Sequence, residues 1–405
     1  MNVLFLSELL HPHGGGAELA TYLYAGLLSN ADFNVRIITH RFAGEDALSR
    51  RASLEIIRLQ LLGRNSMKYS MLSNFPALFS SILRDSIRWA DVVYIPLYWY
   101  SAIPLAKALG KSVIIHLHNY ILSCPMGTLF EIDLSSVCNG RNVACRAGCI
   151  LAHEREGGRD LAGVLASIGL NSMGKNVMGW LASMCDAIVC VSEAQRRLTA
   201  ETVTRNLVSK LHVAYNPLPN VPFIESEGMD FGYFGGYSNS KGLPVLYKAF
   251  RAFNQRHDGR VRIHATKFGN LSKALRIRLE RAGFVFYGRL ERQDYEEMFK
   301  QILCVVVPSV WAEPLPYVVL EALLKGRLVV ASKTGGIPEI VEGCNGARLV
   351  PPGDYIRLAD ELEFVSSLDH RDALELGMKD RKTILKRFDN EQILGKFVGI
   401  LDAVS

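Results

Sequence analysis

The sequence predicts an α/β protein built from two doubly wound, parallel-sheet domains that face each other across a cleft. Three observations carry this expectation. Short apolar runs alternate with helical segments along the chain. The alternation stops at a proline-rich break, Asn216-Pro217-Leu218-Pro219-Asn220-Val221-Pro222, and then restarts. The length, 405 residues, also exceeds what one ordinary core accommodates.

In the first half, 2–7 reads as an apolar strand, 17–29 has helical periodicity, and 34–39 is a strand rich in β-branched residues. The runs 91–95, 112–116 and 186–191 are of the continuously apolar kind that parallel sheets bury on both faces. After the break, 231–234 opens a second series. It continues through the helical 243–254 and the strands 260–265, 284–287, 304–307 and 328–331. The expected division is an N-terminal domain over 1–220, a C-terminal domain over 221–385, and a last helix over 386–405 that packs back toward the first domain.

Composition narrows the function. A net charge of +6 over this length suits an anionic ligand or an anionic lipid surface. No block of five or six basic residues supports nucleic-acid binding. The start, MNVLFLSELLHPHGGG, has no basic leader, and 161–191, the longest near-apolar stretch, is interrupted by Asn171, Lys175, Asn176 and Asp186. A cytoplasmic chain is therefore expected, peripheral at the inner membrane face if it meets lipid at all. Arg84, Arg88 and Trp89, following 75–79, are a candidate lipid-facing patch.

The chemistry-bearing segment is Pro308 to Glu321, PSVWAEPLPYVVLE, which follows an apolar strand. Glu313 lies on a proline-containing turn and Glu321 on the helix after it. On one helix, their spacing would separate the carboxylates by about 12 Å, which suits opposite ends of an extended ligand better than a shared proton. A second glycine turn, Gly335-Gly336-Ile337-Pro338-Glu339, follows the strand 328–331. Glycines at such turns let a backbone approach a phosphate or sugar. Gly14-Gly15-Gly16 sits between the first strand and first helix and reads as a backbone nest or a plain tight turn. His118 lies just past the strand 112–116, where a cleft role competes with a core role.

With these motifs in view, the chain resembles the family-4 retaining glycosyltransferases of GT-B fold, whose two domains are Rossmann-like. Glu313 and Glu321 occupy that family's Glu, seven residues, Glu pattern. Gly335-Gly336-Ile337-Pro338-Glu339 matches its Gly-Gly-x-Pro-Glu, and Gly14-Gly15-Gly16-Ala17-Glu18 its Gly-Gly-x-Glu loop. His118, Val191-Ser192-Glu193 and Asn216-Pro217 extend the resemblance through the N-terminal half. The resemblance implies a UDP- or GDP-sugar donor and a saccharide or lipid-linked acceptor, without a catalytic metal. It implies that Glu313 contacts donor hydroxyls, that Glu321 holds the ribose, and that backbone amides to Leu315 meet sugar or phosphate. Lys241 would neutralise the leaving diphosphate, with His118, Gly15 and Gly16 at the cleft. One position departs: where the family has an arginine, this chain has Gly236. Arg289, in Tyr287-Gly288-Arg289-Leu290, is the nearest candidate to replace it.

Cys124, Cys138, Cys145 and Cys149 fall close together within the 120–153 segment. They can form a closed structural zinc site, remain reduced thiols or pair as a disulfide, and their spacing has no Cys-x-x-Cys knuckle to decide. Three other readings compete with a transferase. One is a sugar-phosphate synthase of the same architecture. Another is a catalytically inactive sugar-nucleotide-binding or scaffold protein, which Gly236 favours. The third, an oxidoreductase, lacks G-x-G-x-x-G spacing.

Overall fold

The structure, a computed structural model, describes residues 1–61, 74–124, 126–131, 136–138, 148–151, 176–257, 260–266, 271–288 and 290–405. The chain divides into two compact units. Unit 1 comprises Met1–Thr128, Gly140–Leu218 and Phe388–Ser405, and unit 2 comprises Leu129–Asn139 and Pro219–Arg387.

Unit 1 is built on β1 (Asn2–Leu6), β2 (Asn34–His40), β3 (Leu48–Arg51), β4 (Leu54–Leu59), β5 (Val92–Ile95), β6 (Ser112–Leu117), β9 (Ala187–Cys190) and β10 (Leu211–Val213). A two-stranded ribbon, β7 (Phe130–Glu131) with β8 (Ser136–Val137), intervenes in sequence and is assigned to unit 2. The unit 1 order is β10-β9-β6-β5-β1-β2-β4-β3, parallel except for the outer hairpin of β3 and β4. Interior strands such as β5 and β9 are buried at every position, as their unbroken apolar sequence requires. The helix α1 (Gly16–Asn30) follows β1. Two more helices, α2 (Ser81–Trp89) and α3 (Ile103–Ala108), flank β5 in sequence. After β9, Ser192 caps α4 (Glu193–Ala200) by accepting from the Gln195 N–H, and Gln195 accepts in return from the Val191 N–H. The Val-Ser-Glu motif thus has a concrete local role as a helix start.

Unit 2 has six parallel strands: β11 (Asp230–Tyr233), β12 (Ile263–Ala265), β13 (Phe284–Phe286), β14 (Ile302–Val307), β15 (Leu328–Ser332) and β16 (Ala347–Val350). They lie in the order β13-β12-β11-β14-β15-β16. In chain order this is 3-2-1-4-5-6, so the topology reverses between β11 and β14, and ligands in such sheets bind beyond the strand carboxyl ends at that reversal. The connecting helices are α5 (Leu243–Asn254), α6 (Lys273–Arg281), α7 (Arg292–Gln301), α8 (Tyr317–Leu324), α9 (Ile337–Val341), α10 (Tyr355–Ser367) and α11 (His370–Arg387). Their apolar stripes cover the sheet, with Phe231, Phe250, Phe253, Val330 and Leu362 fully buried in one cluster.

The last helix, α12 (Asn390–Val404), returns to unit 1. Phe397 inserts its ring against Tyr24 at 4.6 Å and Tyr94 at 5.4 Å, and Ser112 bonds to the Val404 carbonyl. Among the described residues, no helix is long and apolar enough to cross a membrane.

Candidate active site

The site in unit 2 is assembled by three loops at the carboxyl ends of β11, β14 and β15. Tyr233, the last residue of β11, is fully buried, and its hydroxyl donates to the Gly236 carbonyl at 3.0 Å. This ties down the loop that leads to Lys241. The loop then meets the one after β14: Val310 N–H donates to the Ser240 carbonyl at 2.9 Å. Gly242, at φ +76°, lies so close to Pro308 that an added Cβ would sit 1.8 Å from its carbonyl oxygen. The third loop closes in the same way. Gly336 N–H donates to the Glu313 carbonyl at 2.7 Å, and the Thr334 hydroxyl to the Trp311 carbonyl at 3.1 Å.

These constraints bring Lys241 and Glu313 together. The Lys241 ammonium lies 2.7 Å from Glu313 Oε1 and 4.7 Å from the centre of the Trp311 ring. Ser309 donates to the same oxygen at 2.6 Å. Oε1 is thus engaged twice, while Oε2 accepts no hydrogen bond among the described residues. The carboxylate is nearly enclosed, 3% exposed, whereas Lys241 is half-buried. A charge that buried is stable only when paired, and Lys241 is its counter-ion. The arrangement presents one free carboxylate oxygen and an ammonium with spare N–H groups side by side.

Other residues singled out by the sequence take these places. Leu315 is buried and carries the one backbone N–H between two prolines, Pro314 and Pro316. Pro316 caps α8, which has Glu321 on its second turn. Glu313 precedes the helix, so the separation reckoned for two residues on one helix does not apply. Burial first, and then the Glu321 charge, push the Tyr295 hydroxyl above its usual range. Gly236 adopts φ +69°, a left-handed backbone that an arginine would occupy only under strain. Arg289 lies outside the described residues, as does Cys145. Cys124 is buried, and among the described residues no group of three or more His, Cys, Asp or Glu is placed to hold a metal.

Unit 1 has its own topology reversal, between β1 and β5. Gly14, at φ +92°, leaves room for the Glu18 carboxyl, which an added Cβ would meet at 2.5 Å. Glu18 accepts from the Gly15 N–H at 2.7 Å, so the nest is capped by its own carboxylate, and α1 begins at Gly16. Sequence reasoning missed Glu8 and Tyr98. Glu8 is 1% exposed and accepts from the Tyr98 N–H at 3.3 Å, while the Tyr98 hydroxyl accepts from Asn119 at 2.8 Å. Burial, followed by the Glu8 charge, pushes that hydroxyl up to about 12. It also missed Tyr233, Ser309 and Trp311. Ser309 and Trp311 lie inside the Pro308–Glu321 segment, and their closeness to Glu313 in sequence was the available signal.

His118 stacks on His116 with ring centres 4.7 Å apart, and His116 Nδ1 lies 2.6 Å from the Tyr94 hydroxyl. The Nε2 atoms of both histidines are enclosed and have no hydrogen-bond partner among the described residues. Burial pushes His118 down to about 3 and His116 well below its usual value. Both are neutral in the folded chain at physiological pH. Below the ordinary value of 6.5, the unfolded chain binds protons that the folded chain refuses, so stability falls as pH falls. Each such proton contributes a slope of about 1.4 kcal/mol per pH unit. Denaturant unfolding of His118→Gln across this acidic range should show a slope shallower than wild type by about one proton. Equal slopes would place the acid sensitivity elsewhere.

Residues 228–367 match the family model described as Glycosyl transferases group 1. An uncharacterized glycosyltransferase of Methanocaldococcus jannaschii is 30% identical over 114 residues, 27% of this chain and 28% of that protein. A putative colanic acid biosynthesis glycosyltransferase, WcaL of Salmonella typhimurium, is 29% identical over 92 residues, 23% of each chain. Both matches span less than a third of the curated relatives' length. Among solved structures, the sucrose-phosphate synthase of Thermosynechococcus elongatus superposes over 100% of both chains, with TM-score 0.70 and 16% identity. HepE of Anabaena, solved in complex with UDP-glucose, does so over 100% of both chains, with TM-score 0.65 and 18% identity. The chain has the GT-B glycosyltransferase fold, and its residues 228–367, which hold Lys241, Glu313, Glu321 and Gly335, carry the pattern of the glycosyl transferases group 1.

Proposed function

We propose that this protein is a retaining glycosyltransferase that moves a sugar from a nucleotide-sugar donor, UDP- or GDP-linked, to a saccharide or lipid-linked acceptor in glycan or glycolipid biosynthesis. The observation that carries the reading is the Lys241–Glu313 pair at the reversal point of unit 2, with Ser309 on the same carboxylate oxygen. Cleaving a sugar–nucleotide bond builds negative charge on the diphosphate and positive charge at the anomeric carbon. Lys241 and the first-turn amides of α8 carry the diphosphate charge, the task a metal ion performs in other transferases. Glu313 accepts from donor hydroxyls through the oxygen left open. Glu321 accepts from the ribose diol. The acceptor is expected beyond the carboxyl ends of the unit 1 strands. The Phe75, Phe79 and Ile82 side chains are exposed, with the Arg84 guanidinium 5.8 Å from the Phe79 ring centre. This patch suits peripheral contact with an anionic membrane from the cytoplasmic side. Trp89, by contrast, is stacked under Arg36 at 4.3 Å.

A thermal-shift panel of nucleotide sugars tests the reading, since a ligand of the native state raises apparent stability by mass action. One donor class should stabilise the protein, and its free nucleoside diphosphate should bind Glu321→Gln more weakly by about 1.5–3 kcal/mol in calorimetry. Undiminished affinity would remove Glu321 from the ribose. A second reading, an inactive binding or scaffold protein, is favoured by the left-handed Gly236 where the related pattern has arginine. It would take over if a donor binds and no acceptor class supports turnover.

A further inference from the structure

A polar cavity lies within unit 2, with neither Lys241 nor Glu313 in its lining. It has a volume of about 490 Å³ and is lined by Asn220, Val221, Ile224, Tyr295, Glu296 and Lys325, among others. Two contacts hold its wall in place. Arg381 donates to the Val221 carbonyl at 3.2 Å, and Phe223 packs where a Cβ on Gly326, at φ +75°, would stand 2.5 Å from its ring. Lys325 is only 5% exposed. Its ammonium lies 5.4 Å from the Tyr295 ring centre and 5.0 Å from that of Phe299, and it makes no hydrogen bond or ion pair among the described residues. An ammonium has three N–H donors, and burying them without an acceptor is costly.

The surrounding charge sharpens the requirement. Arg327 packs behind Lys325, fully buried. It donates to the Lys325 carbonyl at 3.1 Å and the Phe299 carbonyl at 3.0 Å, and no carboxylate pairs with it among the described residues. The charges that Lys325 feels are Arg327 and Arg381 of like sign and Glu321 and Glu296 of opposite sign, so three cations face two carboxylates. The Tyr295 hydroxyl and the Asn220 amide also make no hydrogen bond among the described residues.

The geometry points to a binding site here for a small hydroxylated anion, a phosphate monoester of a polyol, with its phosphate on Lys325 and its hydroxyls on Asn220, Tyr295 and Glu296. The cavity has room for a phosphate and an attached polyol. The anion supplies the acceptors that the Lys325 ammonium lacks and offsets the excess positive charge. Because Lys325 follows Glu321 by one helical turn, the bound anion competes with Glu321 for the same ammonium.

The test is calorimetric titration of the full chain with glycerol 3-phosphate, inorganic phosphate and glycerol. Both phosphate-bearing probes should bind saturably, glycerol 3-phosphate more tightly, and glycerol should not bind. Lys325→Met keeps the side-chain length and should weaken binding by about tenfold or more. Asn220→Trp, a rim substitution that blocks the mouth, should do the same if Lys325→Met folds poorly. Lys241→Ala should leave binding intact. No binding to wild type, full binding to both pocket variants, or loss in Lys241→Ala would each overturn the site. A further readout rests on the proposed role of Glu321: bound glycerol 3-phosphate should shift the affinity for nucleoside diphosphate, reciprocally. Probe binding with unchanged nucleotide affinity would overturn the link to Glu321, whereas failure of the nucleotide reading leaves the direct titration unaffected.

Discussion

Lys241→Ala should lower the turnover rate constant by about a hundredfold or more, the scale for removing one preorganised charge-stabilising group. The ammonium is the cation placed on Glu313, and Gly236 offers no second side chain in the same loop. Charge on the diphosphate grows between ground and transition state, so the loss should fall on the rate constant more than on binding of an uncharged sugar fragment. The substitution also leaves the Glu313 carboxylate, 3% exposed, with the Ser309 hydroxyl as its remaining donor among the described residues. A buried carboxylate that loses its counter-ion favours the protonated form. Lys241→Arg should recover part of the rate, since it restores the charge with different reach and geometry. Steady-state kinetics on the donor found by thermal shift would decide the matter. Normal turnover of Lys241→Ala would move the phosphate site away from this pair.

Gly335→Ala is the second large effect, and it acts through backbone. Gly335 adopts φ +53°, and an added Cβ would lie 2.0 Å from the Glu313 carbonyl oxygen and 2.7 Å from its amide nitrogen. Neither atom belongs to a flexible side chain that can swing aside, so the loop carrying Glu313 has to shift. The expected loss of stability is about 3 kcal/mol or more, with turnover reduced in the molecules that remain folded. Gly353→Ala separates strain from collision. Gly353 also has a left-handed backbone, φ +83°, yet nothing lies within 4 Å of its absent Cβ. Its cost should be about 1–2 kcal/mol, the conformational term alone, with kinetics unchanged. Chemical denaturation of both variants would check this. Equal losses would show that the approach of Gly335 to Glu313 is not what makes the glycine necessary.

Much of the architecture was legible in sequence because burial on both faces leaves a simple signature. The short, mainly apolar runs read at 2–7, 91–95, 112–116, 304–307 and 328–331 overlap the parallel strands β1, β5, β6, β14 and β15. Within the proline-rich break, Leu218 ends one segment of unit 1 and Pro219 begins the longer segment of unit 2. Strands without that signature stayed hidden. β3, Leu-Ser-Arg-Arg, is an exposed edge, and β4 is half-buried throughout, so neither shows an apolar run to read.

The sequence by itself determined that Glu313, Glu321 and the Gly335-Gly336 turn follow strands of one sheet. Each of these features is local: a strand, a turn and a helix start within a few residues. Only the tertiary structure decided that Lys241, 72 residues from Glu313, is its ion-pair partner, and that Ser309 and Tyr233 hold the two loops in place. Strand order makes that difference. β11 and β14 are neighbours although β12 and β13 lie between them in sequence, so the loops that follow them meet at one point. Hydrophobic periodicity encodes which face of a strand is buried, but not which strand lies beside it. The enclosure of the Lys325 ammonium by the Tyr295 and Phe299 rings likewise depends on neighbours that the chain brings in from a distance.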